Sequence, residues 1–270
     1  MIESVYTGEG RSHKRVEVDV DFVVAGGGMA GVCAAISAAR SGIKVALIQD
    51  RPVLGGNASS EVRLWILGAT SHMGNNNRWA REGGILDEIL VENTYRNKEG
   101  NPVLFDMVVM DKVLAEKNIS LYLNTVIFGV EKSDEKRISS ITAFNPQNQT
   151  EYTFRGKYFC DSTGDGLIGY LGGATFRVGA EDREELDEKF APDKADYGEK
   201  LGHSIFFYTK DAGKPVTYMP PHFAMGKEEI VQRVNRISNP DYFNPRQLGC
   251  KFWWIEYGGH CYDWLCRPDL

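Results

Sequence analysis

Short apolar runs and helix-like segments alternate in the first part of the chain. Two continuous apolar runs, Phe22 to Ala25 and Val45 to Ile48, flank a stretch from Ala30 to Ser41 that is rich in small residues. Apolar runs without polar interruptions are typical of parallel strands that are buried on both faces. The pattern therefore predicts a strand, a helix that packs closely on a sheet, and a second, parallel strand.

Three glycines with the spacing GxGxxG join the first strand to the helix. In this position Gly26 permits a tight turn, Gly28 lets the backbone approach a pyrophosphate, and Gly31 lets the helix pack closely on the strand. The N–H groups at the helix start, around Met29 and Ala30, would hold the pyrophosphate. A purely structural turn can carry the same glycines, but the strand and helix around them favour a dinucleotide-binding unit.

The second strand is followed by Gln49 and Asp50, where a carboxylate commonly binds a ribose hydroxyl. Asp50 can take that role if the strand runs one residue longer than usual. Otherwise Gln49 occupies the place and makes an uncharged hydrogen bond. Arg51 comes next, and it keeps an NADP-type cofactor with a 2′-phosphate as an alternative.

Hydrophobic periodicity also predicts elements further along the chain. The predicted segments are helices at 84–94 and 105–116, a strand at 119–126 and paired strands within 130–154. The charged run at 180–200 predicts a solvated helix or loop. Residues 203–226 have the pattern of strands in a substrate domain.

Composition places the chain among globular proteins of one large or two small domains, with 270 residues and 25% charged residues. No window is long and apolar enough to span a membrane, and the first 20 residues lack the apolar core of a signal peptide. The expected location is the cytoplasm, with no membrane partner. A net charge of −6 without a basic run argues against a nucleic-acid surface. The oligomeric state stays open.

The five cysteines form no CxxC pair, which fits a reducing compartment. Cys33 and Cys160 are expected to be small core residues. Near the C-terminus, Cys250, His260, Cys261 and Cys266 match no familiar zinc spacing, and we predict no metal site.

Two further motifs follow the first turn in order. Residues 51–60 carry Leu54-Gly55-Gly56-Asn57 with serines beyond, and residues 157–166 end in Ser162-Thr163-Gly164-Asp165. With the first turn, they make the sequence resemble FAD-dependent oxidoreductases of the two-dinucleotide-binding-domain class. It is most similar to the branch with the signature Leu-Gly-Gly-Asn-x-Ser-Ser-Glu-x-Arg, over residues 18–260.

This resemblance implies FAD as the cofactor and an α/β fold. It implies a Rossmann-like domain at 18–178, with a parallel sheet, helices, an antiparallel β excursion and a helical insertion at about 57–100. Part of a mixed α+β substrate or cap domain would follow at 179–270. Val126 would hold the adenine edge through backbone groups. The remaining implied FAD contacts are Gly55, Gly56, Asn57, Ser60, Thr163, Gly164 and Asp165.

Three residues are candidates for catalysis. Arg63 could bind a substrate carboxylate or stabilise charge on reduced flavin, and pairing with Glu61 or another carboxylate in a structural network is an equal alternative. His72 and His203 are acid–base candidates, because imidazole titrates near neutral pH. For each histidine, a hydrogen-bonded structural role is the alternative.

Two features depart from the family that the sequence resembles. Gln49 stands where such flavoproteins normally carry glutamate, and the chain ends at Leu270, before the part that returns to the flavin in the family. We therefore expect an FAD-dependent oxidoreductase, or the N-terminal part of one, that moves a hydride or two electrons between a small organic substrate and FAD. The alternatives are a non-catalytic flavin- or nucleotide-binding remnant and an enzyme that uses the dinucleotide for non-redox chemistry.

Overall fold

The computed structural model describes residues 13–64, 66, 82–189, 191–197, 203–208, 213–215, 217, 219–226, 228–229 and 252–257. The chain divides into two compact units, Met1–Phe176 and Arg177–Leu270. The elements of the first unit, in chain order, are β1 (Lys14–Asp19), β2 (Phe22–Ala25), α1 (Met29–Arg40), β3 (Val45–Ile48), α2 (Ile85–Arg96), α3 (Pro102–Leu114), β4 (Ile119–Tyr122), β5 (Val126–Asp134), β6 (Arg137–Asn145), β7 (Thr150–Arg155), β8 (Tyr158–Asp161) and α4 (Leu167–Leu171).

Two four-stranded sheets organise this unit. The first is entirely parallel, in the order β4-β3-β2-β8. The second, which we call the mixed sheet, has the order β1-β7-β6-β5, with β1 parallel to β7 and the other pairs antiparallel. The predicted α/β class is confirmed, with its parallel sheet, helices and antiparallel excursion.

Alternating side chains of the parallel sheet pack against two different layers. Val24, Val45 and Leu47 join a buried cluster with the three helices α1, α2 and α3. Val23 and Ile48 point to the opposite face and pack with residues of the mixed sheet. The parallel strands are therefore covered on both faces, which is why their sequences are apolar without interruption.

The helices lie close to their predicted positions. Helix α2 matches the predicted segment 84–94 to within two residues, and α3 begins three residues before the predicted 105. The early start has a local cause. Asn101 caps α3 by accepting a hydrogen bond from the N–H of Val103 at 2.9 Å, and Pro102 occupies the first helical position.

The strand predicted at 119–126 is wrong as a single element. Strand β4 ends at Tyr122 in the parallel sheet, and β5 starts at Val126 in the mixed sheet. Between them Asn124 has a φ of +51°, and its N–H donates to the carbonyl of Arg51 at 3.2 Å. An asparagine tolerates this left-handed backbone, so the chain can turn from one sheet to the other.

The second unit contains β9 (Gly179–Ala180), α5 (Arg183–Leu186), β10 (Asp196–Tyr197), β11 (His203–Tyr208) and β12 (Phe252–Tyr257). Strands β9 and β10 pair antiparallel, as do β11 and β12. In its described residues, the charged run at 180–200 contains the short helix α5 and also the strand β10, so the predicted helix or loop is only partly right. The prediction of strands throughout 203–226 is only partly right, because no strand lies in the described residues between 213 and 226. In the described parts of the chain, none of the helices has the length and apolar character to cross a membrane.

Candidate cofactor site

The turn between β2 and α1 brings backbone atoms close together. Gly26 has a φ of +97°, and its N–H donates to the carbonyl of Ile48 at 2.8 Å. A Cβ at Gly31 would lie 1.9 Å from the carbonyl oxygen of Gly26, so no side chain fits where α1 passes the turn. The helix starts at Met29 and receives no side-chain capping bond at Gly28. An uncapped first turn of this kind suits an anion such as pyrophosphate.

The Leu-Gly-Gly segment lies directly along this turn. The N–H of Gly55 donates to the carbonyl of Gly27 at 2.8 Å, and Gly28 and Gly55 form an isolated parallel β-bridge. A Cβ on Gly56 would be 3.1 Å from the Cα of Gly28. Leu54, just before the pair, is buried in the helix-side core. The two glycine segments therefore form one backbone surface, which we call the glycine cradle (residues 26–31 and 55–56).

The Ser-Thr-Gly-Asp turn adjoins the same cradle. In the parallel sheet Ala25 is in register with both Ile48 and Asp161, so the carboxyl ends of β2, β3 and β8 are level. The N–H of Ser162 donates to the carbonyl of Ala25 at 2.7 Å. A Cβ on Gly26 would be only 2.2 Å from the carbonyl oxygen of Ser162. The carboxyl edge of a parallel sheet is where α/β folds place their ligands.

Gln49 and Asp50 have different environments at the end of β3. Gln49 is buried, its Oε1 accepts a hydrogen bond from the N–H of Gly27 at 2.7 Å, and its Nε2 donates to the carbonyl of Val53 at 3.2 Å. Asp50 is exposed. Both ends of the Gln49 amide are therefore bonded to the protein, while the Asp50 carboxylate faces solvent.

The segment after the cradle carries Arg63 on an unusual backbone. Arg63 has a φ of +65°, and its Nε donates to the carbonyl of Ser60 at 2.8 Å. The Glu61 carboxylate, one of the predicted alternative partners for Arg63, accepts two hydrogen bonds from Arg51 at 2.8 and 2.9 Å. Arg51, the residue that kept an NADP-type cofactor open, is thus held in an ion pair.

A carboxylate that sequence reasoning missed supports this segment. Asp106 on α3 is 7% exposed, and its Oδ1 accepts a hydrogen bond from the N–H of Ser60 at 2.8 Å. The sequence does indicate this residue, because Asp106 lies within the apolar run of α3 and aspartate is rarely buried without a hydrogen-bond partner. Its partner is a backbone group in the Leu-Gly-Gly-Asn segment.

The other predicted FAD contacts come from three separate segments of the first unit. Val126 starts β5 with its side chain half-exposed, and the adjacent Thr125 N–H donates to the carbonyl of Gln49 at 2.9 Å. Asn57 is exposed, and its carbonyl accepts a hydrogen bond from the N–H of Leu64 at 2.8 Å. Residues Thr163, Gly164 and Asp165 lie in the turn between β8 and α4.

The three catalytic candidates lie in different parts of the chain. His203 begins β11 in the second unit, in register with Tyr257 of β12. His72 lies outside the described residues. Arg63 follows the cradle, where its Nε donates to the carbonyl of Ser60. No cluster of potential metal ligands occurs in the part of the chain that the structure describes.

Comparison with known proteins gives several similarities. A segment of 39 residues is 64% identical to a fumarate reductase (cytochrome) of Shewanella frigidimarina. This segment is 14% of this chain and 7% of that protein. The solved L-proline dehydrogenase from P. horikoshii has 19% identity and a TM-score of 0.33, over 63% of this chain and 25% of that one. A geranylgeranyl bacteriochlorophyll reductase-like protein from Thermoplasma acidophilum has 18% identity and a TM-score of 0.40, over 68% of this chain and 50% of that one. The chain spans half or less of the length of each of these proteins.

A family model gives the assignment. The model of the FAD dependent oxidoreductase family matches residues 21–265, which is most of the chain. The close backbone approaches at Gly26, Gly31 and Gly56, together with the uncapped start of α1, fit the dinucleotide that gives this family its name. FAD is therefore the cofactor, and the chain belongs to the family of FAD-dependent oxidoreductases.

Proposed function

We propose that this chain is an FAD-dependent oxidoreductase, or the N-terminal part of one, that acts on a small organic substrate. The observation that carries the proposal is the glycine cradle at the carboxyl edge of the parallel sheet, with Ser162 against Gly26 and Gly55 against Gly28. The family match over residues 21–265 supports the same conclusion. When bound, FAD supplies the transfer of a hydride or of two electrons, and the protein supplies position and electrostatics.

The contacts around the cradle suggest how the cofactor is oriented. The pyrophosphate would rest on the first turn of α1, at Met29 and Ala30, because N–H groups and the helix dipole favour an anion there. The ribose hydroxyls would bind the exposed Asp50, with Gln49 bracing the turn. The adenine would lie toward Val126.

The flavin side of the cofactor would face the two remaining segments. The side chains proposed to contact it are those of Asn57, Ser60, Thr163 and Asp165, together with the backbone of Gly164. Asn57 and Ser60 follow Gly56 in the sequence, and residues 163–165 follow Ser162, whose carbonyl lies against Gly26. A cofactor that extends from Val126 to this side would run along the carboxyl edge of the sheet.

Arg63 is the proposed substrate-side cation. Its guanidinium keeps one donor on the Ser60 carbonyl and is permanently charged, so it can orient a substrate carboxylate or stabilise negative charge that develops during reduction. A non-glycine residue with positive φ is an unusual conformation that clusters at functional sites. His72 and His203 are the proposed acid–base groups.

The domain organisation and location are also proposals. Residues 18–178 would form the FAD-binding domain, and 179–270 part of a substrate or cap domain. The division of the chain near residue 177 supports this boundary. Limited proteolysis should then cut first near that position.

We propose a cytoplasmic location. The five cysteines form no CxxC pair, which fits a reducing compartment and supports this location. Cell fractionation tests it.

Anaerobic reduction tests the proposed activity. The FAD-loaded chain is mixed with a panel of small organic donors, and the absorbance of oxidised flavin at about 450 nm is followed. An oxidoreductase loses this absorbance with at least one donor, and Arg63→Ala slows the loss more than Arg63→Lys, which keeps the charge. A chain that retains FAD but is reduced by no donor of the panel contradicts the activity and favours a flavin-binding protein without catalysis.

A further inference from the structure

Asp161 makes more contacts than its position at a strand end requires. It is the last residue of β8, in register with Ala25 at the edge of the cradle. Its Oδ1 accepts hydrogen bonds from the N–H of Thr163 at 3.2 Å and from the Thr163 hydroxyl at 2.7 Å. One carboxylate oxygen therefore closes the turn that follows the strand.

The second oxygen of Asp161 reaches the element beyond the turn. Oδ2 accepts a hydrogen bond from the N–H of Gly169 in α4 at 2.9 Å. The Thr163 hydroxyl in turn accepts from the N–H of Leu167 at 2.9 Å. Strand β8, the turn at 162–166 and helix α4 are thus tied together by two side chains.

The turn itself has little packing of its own. At Gly164 and at Gly166, no described heavy atom lies within 4 Å of the position of an added Cβ. By contrast, Ser162 at the start of the turn touches the cradle, with its carbonyl against Gly26 and its Cβ 3.2 Å from the position of a Cβ on Gly31. A shift of the turn at 162–166 would therefore also move Ser162, which lies against Gly26 and Gly31 of the cradle.

We propose that Asp161 is the positioning residue that holds the turn at 162–166 against the glycine cradle, and so sets the affinity of the chain for FAD. This role rests on the proposed binding of FAD at the cradle. Asp161 acts through Thr163 and the turn, because both of its oxygens are occupied by donors of the protein.

The ionisation of Asp161 agrees with this role. Partial burial raises the pKa of its carboxyl, but the hydrogen bonds from Gly169 and Thr163 outweigh burial, and the pKa lies below its ordinary value. The carboxylate is charged at neutral pH and attracts all three donors. In Asp161→Asn, the amide NH₂ would face a donor in place of one acceptor oxygen, so at least one of these bonds is lost.

Amide hydrogen exchange of the full 270-residue chain without FAD tests the hold on the turn. In Asp161→Asn we expect the amides of Thr163 and Gly169 to exchange at least about tenfold faster, since hydrogen bonds to a charged acceptor are lost. The matched control is Asp134→Asn in the β5–β6 hairpin, whose carboxylate accepts from the N–H of Lys136 at 2.9 Å. Unchanged exchange at Thr163 and Gly169 overturns the proposal.

Titration with FAD tests the consequence for the cofactor. We expect the dissociation constant to rise at least about tenfold in Asp161→Asn and to stay near the wild-type value in Asp134→Asn. The thermal unfolding of both variants is measured alongside. A raised dissociation constant in Asp161→Asn at unchanged stability separates the loss of the hold on the turn from a general loss of folding.

The two possible failures are distinguishable. Wild-type chain that binds FAD with no change of affinity in Asp161→Asn overturns the role of Asp161 and leaves the proposed function intact. Wild-type chain that binds no FAD contradicts the proposed function, and with it the part of Asp161 in cofactor affinity. The exchange experiment decides separately whether Asp161 holds the turn.

Discussion

The Gln49 side chain accepts a hydrogen bond from the N–H of Gly27 at 2.7 Å, across the first glycine turn. Its other amide atom donates to the carbonyl of Val53, so a single buried side chain links the first turn to the segment that leads into Leu54 and Gly55. The glutamine therefore braces the cradle, and Asp50, the next residue, is exposed.

Gln49→Leu should destabilise the chain by about 1–3 kcal/mol, because it leaves the Gly27 N–H and the Val53 carbonyl without their partner. Gln49→Glu keeps the acceptor for the Gly27 N–H, but it loses the donor to the Val53 carbonyl and buries a charge, so it should destabilise the chain as well. Urea unfolding of the three proteins measures the difference. Equal stability of Gln49→Leu and the wild-type chain would show that the brace contributes nothing.

Gly31→Ala should abolish retention of FAD and lower stability by about 1–3 kcal/mol, the usual cost of overpacking. The added Cβ would lie 1.9 Å from the backbone oxygen of Gly26, and backbone cannot move aside as a flexible side chain can. Gly129→Ala on β5 is the control, because its Cβ would meet Thr142 at an ordinary 3.5 Å. Thermal unfolding and absorbance after desalting provide the readouts. Normal FAD retention by Gly31→Ala would be inconsistent with the cradle.

Acid should weaken the contact between the helices through Glu88. Hydrogen bonds from Arg40 and Lys112 lower the pKa of Glu88 from 4.5 to about 2. Because folding lowers this pKa, the ion pairs contribute fully above pH 4.5, and their contribution is lost as the pH falls toward 2.

Glu88→Gln should therefore flatten the decline of stability across that pH range, and cost about 1 kcal/mol or less at neutral pH because the site is partly exposed. Glu99→Gln, a change at an exposed residue outside this network, should leave the decline unaltered. The free energy of unfolding at several pH values checks both. If Glu88→Gln and the wild-type chain lose stability in parallel, the pH dependence comes from other groups.

Asp106 should matter for its acceptor oxygen more than for its charge. Asp106→Leu leaves the N–H of Ser60 unpaired and should cost about 1–3 kcal/mol, whereas Asp106→Asn keeps an acceptor and should cost less. Chemical denaturation compares the two variants. Loss of the same size in both would mean that the charge, and not the hydrogen bond to Ser60, is what the fold requires.

The sequence predicts the core of this fold because local pattern and tertiary role agree there. Phe22 to Ala25 and Val45 to Ile48 are buried on both faces, so their apolar runs are unbroken, and the close approaches at Gly26 and Gly31 admit only glycine. Strand β1 was missed, since a half-exposed edge strand with charged residues, Lys14–Asp19, has no such run.

The hydrophobic pattern of the sequence does not reveal the side-chain hydrogen bonds that join different elements of the fold. Asp106 is separated from Ser60 by 46 positions, and Asp161 on β8 accepts from the N–H of Gly169 on another element, α4. The break of the strand at Asn124 likewise depends on a bond to Arg51, far away along the chain. Such contacts are fixed by tertiary structure, in which a side chain finds its partner on another element.

The absorption spectrum of the purified 270-residue chain, taken after incubation with FAD and desalting, tests the central claim most directly. The account predicts retained bands near about 375 and 450 nm, as expected of protein-bound oxidised flavin, and their absence in Gly31→Ala. A correctly folded wild-type chain that emerges colourless would contradict the assignment of the glycine cradle as an FAD site.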